Sequence, residues 1–423
     1  MIMRFIVSML VAGILFSCGK EASLSFRNPQ DVDRSDEVIV LTKEELYQKT
    51  GLQEGTLPLF ALSDNSPVPF QLDDMDQDGN WDEVALLLSF APGETKKITV
   101  IASDGKNYPP EFEKRTNLRL GIEKEDGTYE EVDSYRALPC TEEFKIIAQG
   151  ESVNWENDKI GFRNYFDCRN VKDLFGKRMP VMIIDKIHTP ELGDYHKLAD
   201  WGMDVLHCGS SLGSGGIALM KNDSLFRLGS TEVYEYHKLA EGPVRSIFEL
   251  RYDGWDVDGE MLAAVEKITI YPGKYWFESD VTVKGMPEGS EIVTGIVTSH
   301  LKREPFEFSA GNFRCVGTHD VQSLNNDELG MAVIVPASET GKTGRTSNIN
   351  FYNLGYETVR EKGFSHIISE TCYISQKGEN NKPSKHYFFS VWGLDKEQWK
   401  TEEGFRKYIT EEAGKLSEKI IVL

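Results

Sequence analysis

Cysteine is scarce in this 423-residue chain: it has six, and no CxxC pair among them. A zinc knuckle, which needs closely spaced thiolates, is thereby disfavoured. Apart from Cys18 there remain Cys140, Cys168, Cys208, Cys315 and Cys372, an odd and widely spaced set that suits reduced thiols in a core. Positive charge is also short. Lys and Arg number 47 against 68 Asp and Glu, a net charge of -21. Nucleic acid is excluded as a partner on that balance, because binding it requires basic surface that displaces counterions. An anionic ligand would need basic side chains gathered locally. No segment after the N-terminus reaches the roughly 20 apolar residues of a membrane helix. GxGxxG is missing, and so is GxxxxGK followed by Ser or Thr, which argues against a nucleotide. Ser210, Ser211 and Ser214 lack the GxSxG elbow of a serine nucleophile. There is no internal repeat and no regular strand–helix alternation, so a parallel α/β barrel or doubly wound sheet is not expected.

What is present begins with a leader. Met1 to Arg4 is short and positive, and Phe5 to Phe16 is apolar and of signal-peptide length. Leu15-Phe16-Ser17-Cys18 resembles a bacterial lipobox. Residues 1–17 are therefore expected to be removed and Cys18 lipidated, with 18–25 as a tether. This predicts a protein anchored by lipid in the bacterial cell envelope, at the periplasm or the outer-membrane surface.

The remainder reads as mostly β. Val38 to Leu41 is a short strand, and Val84 to Phe90 and Ile98 to Ala102 flank Pro92-Gly93 as an expected hairpin. They predict a small N-terminal β-sandwich over 26–110, with Gly105 to Thr116 as linker. Val244 to Tyr252 alternates, with Val244, Ser246, Phe248, Leu250 and Tyr252 on one face. Pro272-Gly273 marks another hairpin, with Trp276, Glu278 and Asp280 facing outward or into a cleft. Strands at this spacing predict a large antiparallel β-sandwich over 111–423 carrying the chemistry. A helix is expected near Asp395 to Glu418, where Trp399, Phe405 and Ile409 recur at helical spacing.

Three blocks carry candidate chemistry. Asp74, Asp76, Asp78 and Asp82 surround Gly79 like the first half of a calcium loop, which makes structural calcium a candidate. No Glu stands at position twelve, so an acidic turn held by Asx-type bonds is the competing reading. Trp155 to Tyr165, read as one strand, puts Trp155, Lys159, Arg163 and Tyr165 on one face and Glu156 and Asp158 on the other. That first face suits a uronic acid, with the ring on Trp155 and the carboxylate on Arg163 or Lys159. The run from Tyr195 to Gly216 holds Tyr195, His196, Asp200, Trp201, Asp204 and His207 before a glycine-rich loop. Acid/base groups beside an aromatic platform and a permissive loop are what a sugar-processing site needs. His237 and His300 can join His196 only if the fold brings them together.

The runs WENDKIGFRNYFDCRNVKDLFGK (155–177) and YHKLADWGMDVLHCGSSLGSGGIAL (195–219), preceded by QLDDMDQDGNWDEV (71–84), resemble the Bacteroidetes family filed as domain of unknown function 4861. The resemblance spans most of the chain after the leader and implies a role in polysaccharide use. It implies a galactose-mutarotase-like β-supersandwich, similar also to polysaccharide lyases, and dehydration of oligosaccharides ending in a uronic acid. It attaches roles to Glu156, Asp158 and Arg163, and to Tyr195, His196 and Asp204. His207 departs from a more usual basic residue there and receives no role.

Eliminating water across C4 and C5 of a uronate needs a base, a cation or strong donors on the carboxylate, and an acid at the leaving hydroxyl. His196 is assigned as base, Arg163 with Lys159 as the carboxylate clamp, and Tyr195 or His237 as acid. Glu156, Asp158 and Asp204 orient those groups or hold sugar hydroxyls, and Trp155 and Trp201 offer platforms. No cofactor is required by this chemistry. The competing enzyme readings are a sugar epimerase and a glycoside hydrolase pairing Glu156 or Asp158 with Asp204. A glycan-binding lipoprotein without turnover is the third.

Overall fold

The computed structural model describes residues 22–106, 108–137, 147–167, 169–229, 231–298, 300–347, 349–350 and 370–423. The expected leader, Cys18, Cys140 and Cys168 lie outside these residues. Cys208, Cys315 and Cys372 are buried and reduced.

The chain is mostly antiparallel β-sheet, as its strand patterns predict. At the N-terminal end two small sheets face each other. One runs Ile421–Val422, Ala22–Arg27, Thr95–Ala102, Pro58–Ala61, and the other Arg34–Thr42, Glu83–Phe90, Phe70–Asp73. Leu24, Phe26, Leu41, Phe60, Val84, Leu86 and Ile98 fill the space between them. Three expectations need correction. Ala22 to Ser25 is strand rather than tether, because Leu24 and Phe26 alternate inward and are buried. Glu83–Phe90 and Thr95–Ala102 do not pair as a hairpin, since Pro92-Gly93 carries the chain from one sheet to the other. The linker is packed too, with Tyr108 and Phe112 against the core of this sandwich.

The larger body has a nine-stranded sheet, in which Ser246–Val257, Glu260–Ile270, Trp276–Lys284 and Pro383–Trp392 are successive neighbours. A five-stranded sheet lies against it, ordered Gly202–Asp204, Lys172–Lys177, Ile160–Tyr165, Ser152–Asn157, Thr116–Arg119. A six-stranded sheet includes Ser214–Lys221, Glu291–Val297 and Thr371–Gln376. The alternation in Val244 to Tyr252 buries Phe248, Leu250 and Tyr252 as expected. Aromatic rings join the layers: Trp155 meets Phe248 at 5.2 Å and Phe277 at 5.4 Å, and Phe162 meets Phe277 at 4.9 Å. Each such ring, fully buried, contributes on the order of 2–3 kcal/mol.

The helix Glu402–Ser417 starts where Thr401 accepts the Gly404 N–H at 3.1 Å, with Glu402 and Glu403 in its first turn. Phe405, Ile409 and Ala413, four residues apart, form its buried stripe. That stripe covers Tyr275, Trp276, Phe306 and Phe389 on the outer side of the nine-stranded sheet. Trp276 is therefore roofed by helix, with its indole N–H on Glu412 at 3.0 Å, and does not face a cleft as an open platform.

Candidate functional site

The site is set by a turn. Trp155 to Tyr165 is not one strand but a hairpin, Ser152–Asn157 and Ile160–Tyr165, with Asp158-Lys159 at its tip. Register pairs Trp155 with Phe162 and Asn154 with Arg163. Directly paired residues share a face, so the two-residue turn puts Trp155 and Arg163 on opposite sides. Trp155 is 0% exposed in the core and offers no ring to a ligand. Arg163 lies on the other face, paired with Asp173 of Lys172–Lys177, whose Phe175 pairs with Asp204 of Gly202–Asp204.

These three strands bring one guanidinium between two carboxylates. Arg163 Nη2 donates to Asp173 Oδ2 at 2.6 Å, to Asp204 Oδ2 at 2.5 Å and to Tyr165 Oη at 2.8 Å. Its Nε also donates to Asp173, at 3.0 Å. The Arg163 side chain is 3% exposed. It is a buried organiser whose Nε and Nη2 are held by Asp173, Asp204 and Tyr165, which corrects the expectation of a guanidinium free to fork onto a substrate carboxylate through those two nitrogens. Burial and the neighbouring Asp173 charge push the Asp204 carboxyl up to about 8, against the pull of Arg163.

The excursion between Lys177 and Gly202 folds over this face. Tyr195 and Trp201 are buried with Phe175, Ile183, Ile184 and Ile187, and the Asp204 N–H returns to the Tyr195 carbonyl at 2.9 Å. His196 emerges from this packing with its side chain 56% exposed. Its Nε2 lies 3.7 Å from Asp204 Oδ2 and its Nδ1 3.4 Å from Asp194 Oδ1. The Tyr195 ring sits 4.2 Å from the imidazole and 5.7 Å from the Arg163 guanidinium. Burial raises the Tyr195 phenol, and Arg163 opposes that. An accessible imidazole backed by a buried carboxylate, beside a phenol on a guanidinium, can exchange protons with a bound substrate.

Other expected residues lie elsewhere. Glu156 is buried, pairs with Lys177 and accepts the N–H groups of Ile183 and Ile184 at 2.7 and 2.9 Å. It fixes the start of the excursion rather than holding a sugar. Asp158 takes the Gly273 N–H at 2.7 Å and pairs with Arg115 and Lys159, both at 3.0 Å. Arg115 also grips Asp36, so this group joins the N-terminal sandwich to the large body. Lys159 is spent on Asp158 at that tip and does not reach the Arg163 cluster as a clamp. His237 lies on the outward face of its strand, paired in register with Ser134 and Glu249 and 3.3 Å from Glu235, and does not join His196. Trp201 is 9% exposed and packs inward. Asp74, Asp76 and Asp78 converge, with one carboxylate oxygen of each within 4.8 Å of the others. Asp82 instead accepts the Met75 N–H at 2.7 Å and shapes the turn.

The sequence gives no warning of Asp173, which reads as an ordinary strand residue, nor of a partnership between His207 and His300, whose ring centroids are 5.8 Å apart.

A family model described as Domain of unknown function (DUF4861) matches residues 26–422. The chain belongs to this family. "Uncharacterized protein P7" of Formosa agariphila is a relative of this DUF4861 chain, 22% identical over 435 residues and covering 96% of each. Among solved structures, a protein in the Glycosyl Hydrolase Family 38 from Enterococcus faecalis aligns at 10% identity and a TM-score of 0.47, over 96% of this chain and 47% of that one. An alpha-mannosidase from Enterococcus faecalis V583 aligns at 10% identity and 0.46, over 96% and 46%. This DUF4861 chain thus spans about half the length of those two.

Proposed function

We propose that this protein is a carbohydrate-active enzyme that removes water by β-elimination from oligosaccharides ending in a uronic acid. The observation that carries the proposal is His196, more than half exposed, against the buried Asp204–Arg163–Asp173 group. His196 takes the proton at C5, and its electron pair becomes the C4–C5 double bond. The C4–oxygen bond breaks as Tyr195 gives its proton, and water leaves. Arg163, close to the Tyr195 ring, stabilises the phenolate that remains. Asp204, beneath the ring, positions the imidazole. Hydrolysis by paired carboxylates is less well served. Asp173 and Asp204 both contact one nitrogen of Arg163 and are buried, whereas glycosidase carboxylates flank the scissile bond about 5–9.5 Å apart.

The test is incubation with oligosaccharides bearing a saturated uronic acid at the non-reducing end. New ultraviolet absorbance with loss of one water per chain is expected. His196→Ala should lower the rate by about 10²-fold or more, and an unchanged rate would sink the assignment. We also propose that Asp74, Asp76 and Asp78 hold a structural calcium ion. Added calcium should raise Tm over that in chelator, and an identical Tm would refute it.

A further inference from the structure

The proposed step leaves a positive imidazole on His196, and that charge needs a counter-charge. The buried group beneath the ring does not supply it. Asp204 keeps a proton up to about pH 8, so Arg163, Asp173 and protonated Asp204 together carry no net charge. Asp204 Oδ2 is also 3.7 Å from Nε2, longer than a hydrogen bond.

The other carboxylate at the ring comes from the turn that presents it. In Asp194-Tyr195-His196-Lys197 the Asp194 carbonyl accepts the Lys197 N–H at 3.1 Å, and Asp194 Oδ1 accepts the His196 N–H at 3.1 Å. This is the Asx-type turn that an aspartate closes on the residue two places ahead. It sets the same oxygen 3.4 Å from His196 Nδ1. Asp194 Oδ2 pairs with Lys197 Nζ at 3.0 Å. That lysine and the His196 N–H hold the Asp194 carboxyl below its ordinary pKa, which keeps it charged at neutral pH. The Lys197 side chain is 81% exposed, so solvent screens its charge from the ring. Tyr195 packs 4.2 Å from the imidazole and contributes no charge at neutral pH, because burial raises its phenol. Among the described residues, Asp194 and Asp204 are the carboxylates that pair with His196.

We infer that Asp194 is the positioning residue of His196: it holds a proton on Nδ1, leaves Nε2 to accept the proton from C5 and neutralises the imidazolium that results. Its part in catalysis rests on the proposed elimination, whereas its pairing with the imidazole does not. A base oriented by a carboxylate through its other nitrogen divides the work in this way, and no proton passes to the carboxylate. Ring and carboxylate are 56% and 47% exposed. A sugar lying over both excludes water and tightens a contact that, at 3.4 Å, is longer than a closed hydrogen bond.

The test compares the full chain with Asp194→Asn, which keeps the turn, because its amide oxygen accepts the same N–H, and removes the charge. Proton NMR follows the histidine ring signals against pH without sugar, and His196 is assigned by the signal missing from His196→Gln. In Asp194→Asn the His196 midpoint should move to lower pH by roughly half a pH unit, while the other histidines keep theirs. With oligosaccharides bearing a saturated uronic acid at the non-reducing end, the acid limb of kcat/KM should move the same way. The kcat should fall about tenfold, short of the roughly 10²–10⁴ that loss of the base costs. Asp194→Ala, which loses turn and charge alike, should lose at least as much. A rate loss confined to Asp194→Ala, with midpoint and pH profile unmoved in Asp194→Asn, would reduce Asp194 to a turn residue and overturn the inference. A moved midpoint without any elimination by the parent removes the reaction and leaves the pairing. Elimination with an unmoved midpoint removes the pairing and leaves the reaction.

Discussion

At the scale of single residues, Arg163 is where stability and chemistry meet. Its guanidinium serves two carboxylates and a phenol while almost wholly out of water. Such a group gains little over an apolar packing of the same shape, but breaking it leaves charge buried and unpaired. Arg163→Met should therefore cost about 3–5 kcal/mol, read as a fall in the urea midpoint. Arg163→Met combined with Asp173→Asn should recover part of that loss, because one of the stranded charges is gone. Equal midpoints for parent and Arg163→Met would show that the network does not hold the strands. His196, Tyr195 and Asp204 are legible in the sequence, since acid/base types crowd before a glycine loop. Asp173 is not, because its neighbours alternate like any strand and its partner lies on another one.

At the scale of elements, what the sequence hides is parity. One strand from Trp155 to Tyr165 and a hairpin with a two-residue turn contain the same letters. They differ in whether Trp155 and Arg163 share a face, and the pairing settles it. The final helix and the Pro272-Gly273 hairpin are readable because stripe and turn residues are local signals. The Pro92-Gly93 corner is not, because the choice of sheet is made by distant partners. Gly202 shows how tightly one element sets the site. Its φ is +139°, and an added Cβ would lie 1.8 Å from the Gly176 carbonyl oxygen. Gly202→Ala should push Gly202–Asp204 off Lys172–Lys177 and draw Asp204 away from Arg163 and His196. Misplacement of about 1 Å can cost roughly 10²-fold in rate, with a stability loss of about 1–3 kcal/mol. Turnover like the parent's in Gly202→Ala would show that this strand does not position the carboxylate.

At the scale of the whole molecule, the two large layers meet over a polar group inside the core. Lys172 of the five-stranded sheet pairs with Glu266 of the nine-stranded sheet at 2.8 Å, and Ser279 donates to the same carboxylate at 2.6 Å. His386, paired in register with Ser279, is fully buried, and neither ring nitrogen has a partner among the described residues. Burial and the Lys172 charge lower its pKa to about 3, whereas an unfolded histidine titrates near 6.5. Between those values the unfolded chain binds a proton that the folded chain refuses. Stability from this group is thus fully present above about pH 6.5 and is lost as pH falls toward 3, at up to about 1.4 kcal/mol per pH unit. Asp204 works in the opposite sense. Its raised carboxyl keeps a proton in the folded state, so its contribution declines as pH rises toward about 8. Asp158 and Glu412 are held below the usual carboxylate range despite burial, by hydrogen bonds and neighbouring cations, and they weaken the fold only at lower pH. The window from about pH 4.5 to 6.5 therefore isolates the histidine from them. Across that window the Asp204 and His386 contributions run in opposite directions, so the urea midpoint of the parent should change little with pH. His386→Leu, which keeps an apolar side chain against Phe388 and its neighbours, should make the midpoint rise as pH falls through the window, while Asp204→Asn should make it fall with acid and flatten the decline toward pH 8. Parallel acid slopes in the parent and His386→Leu would mean that the buried imidazole does not govern how the two layers respond to acid.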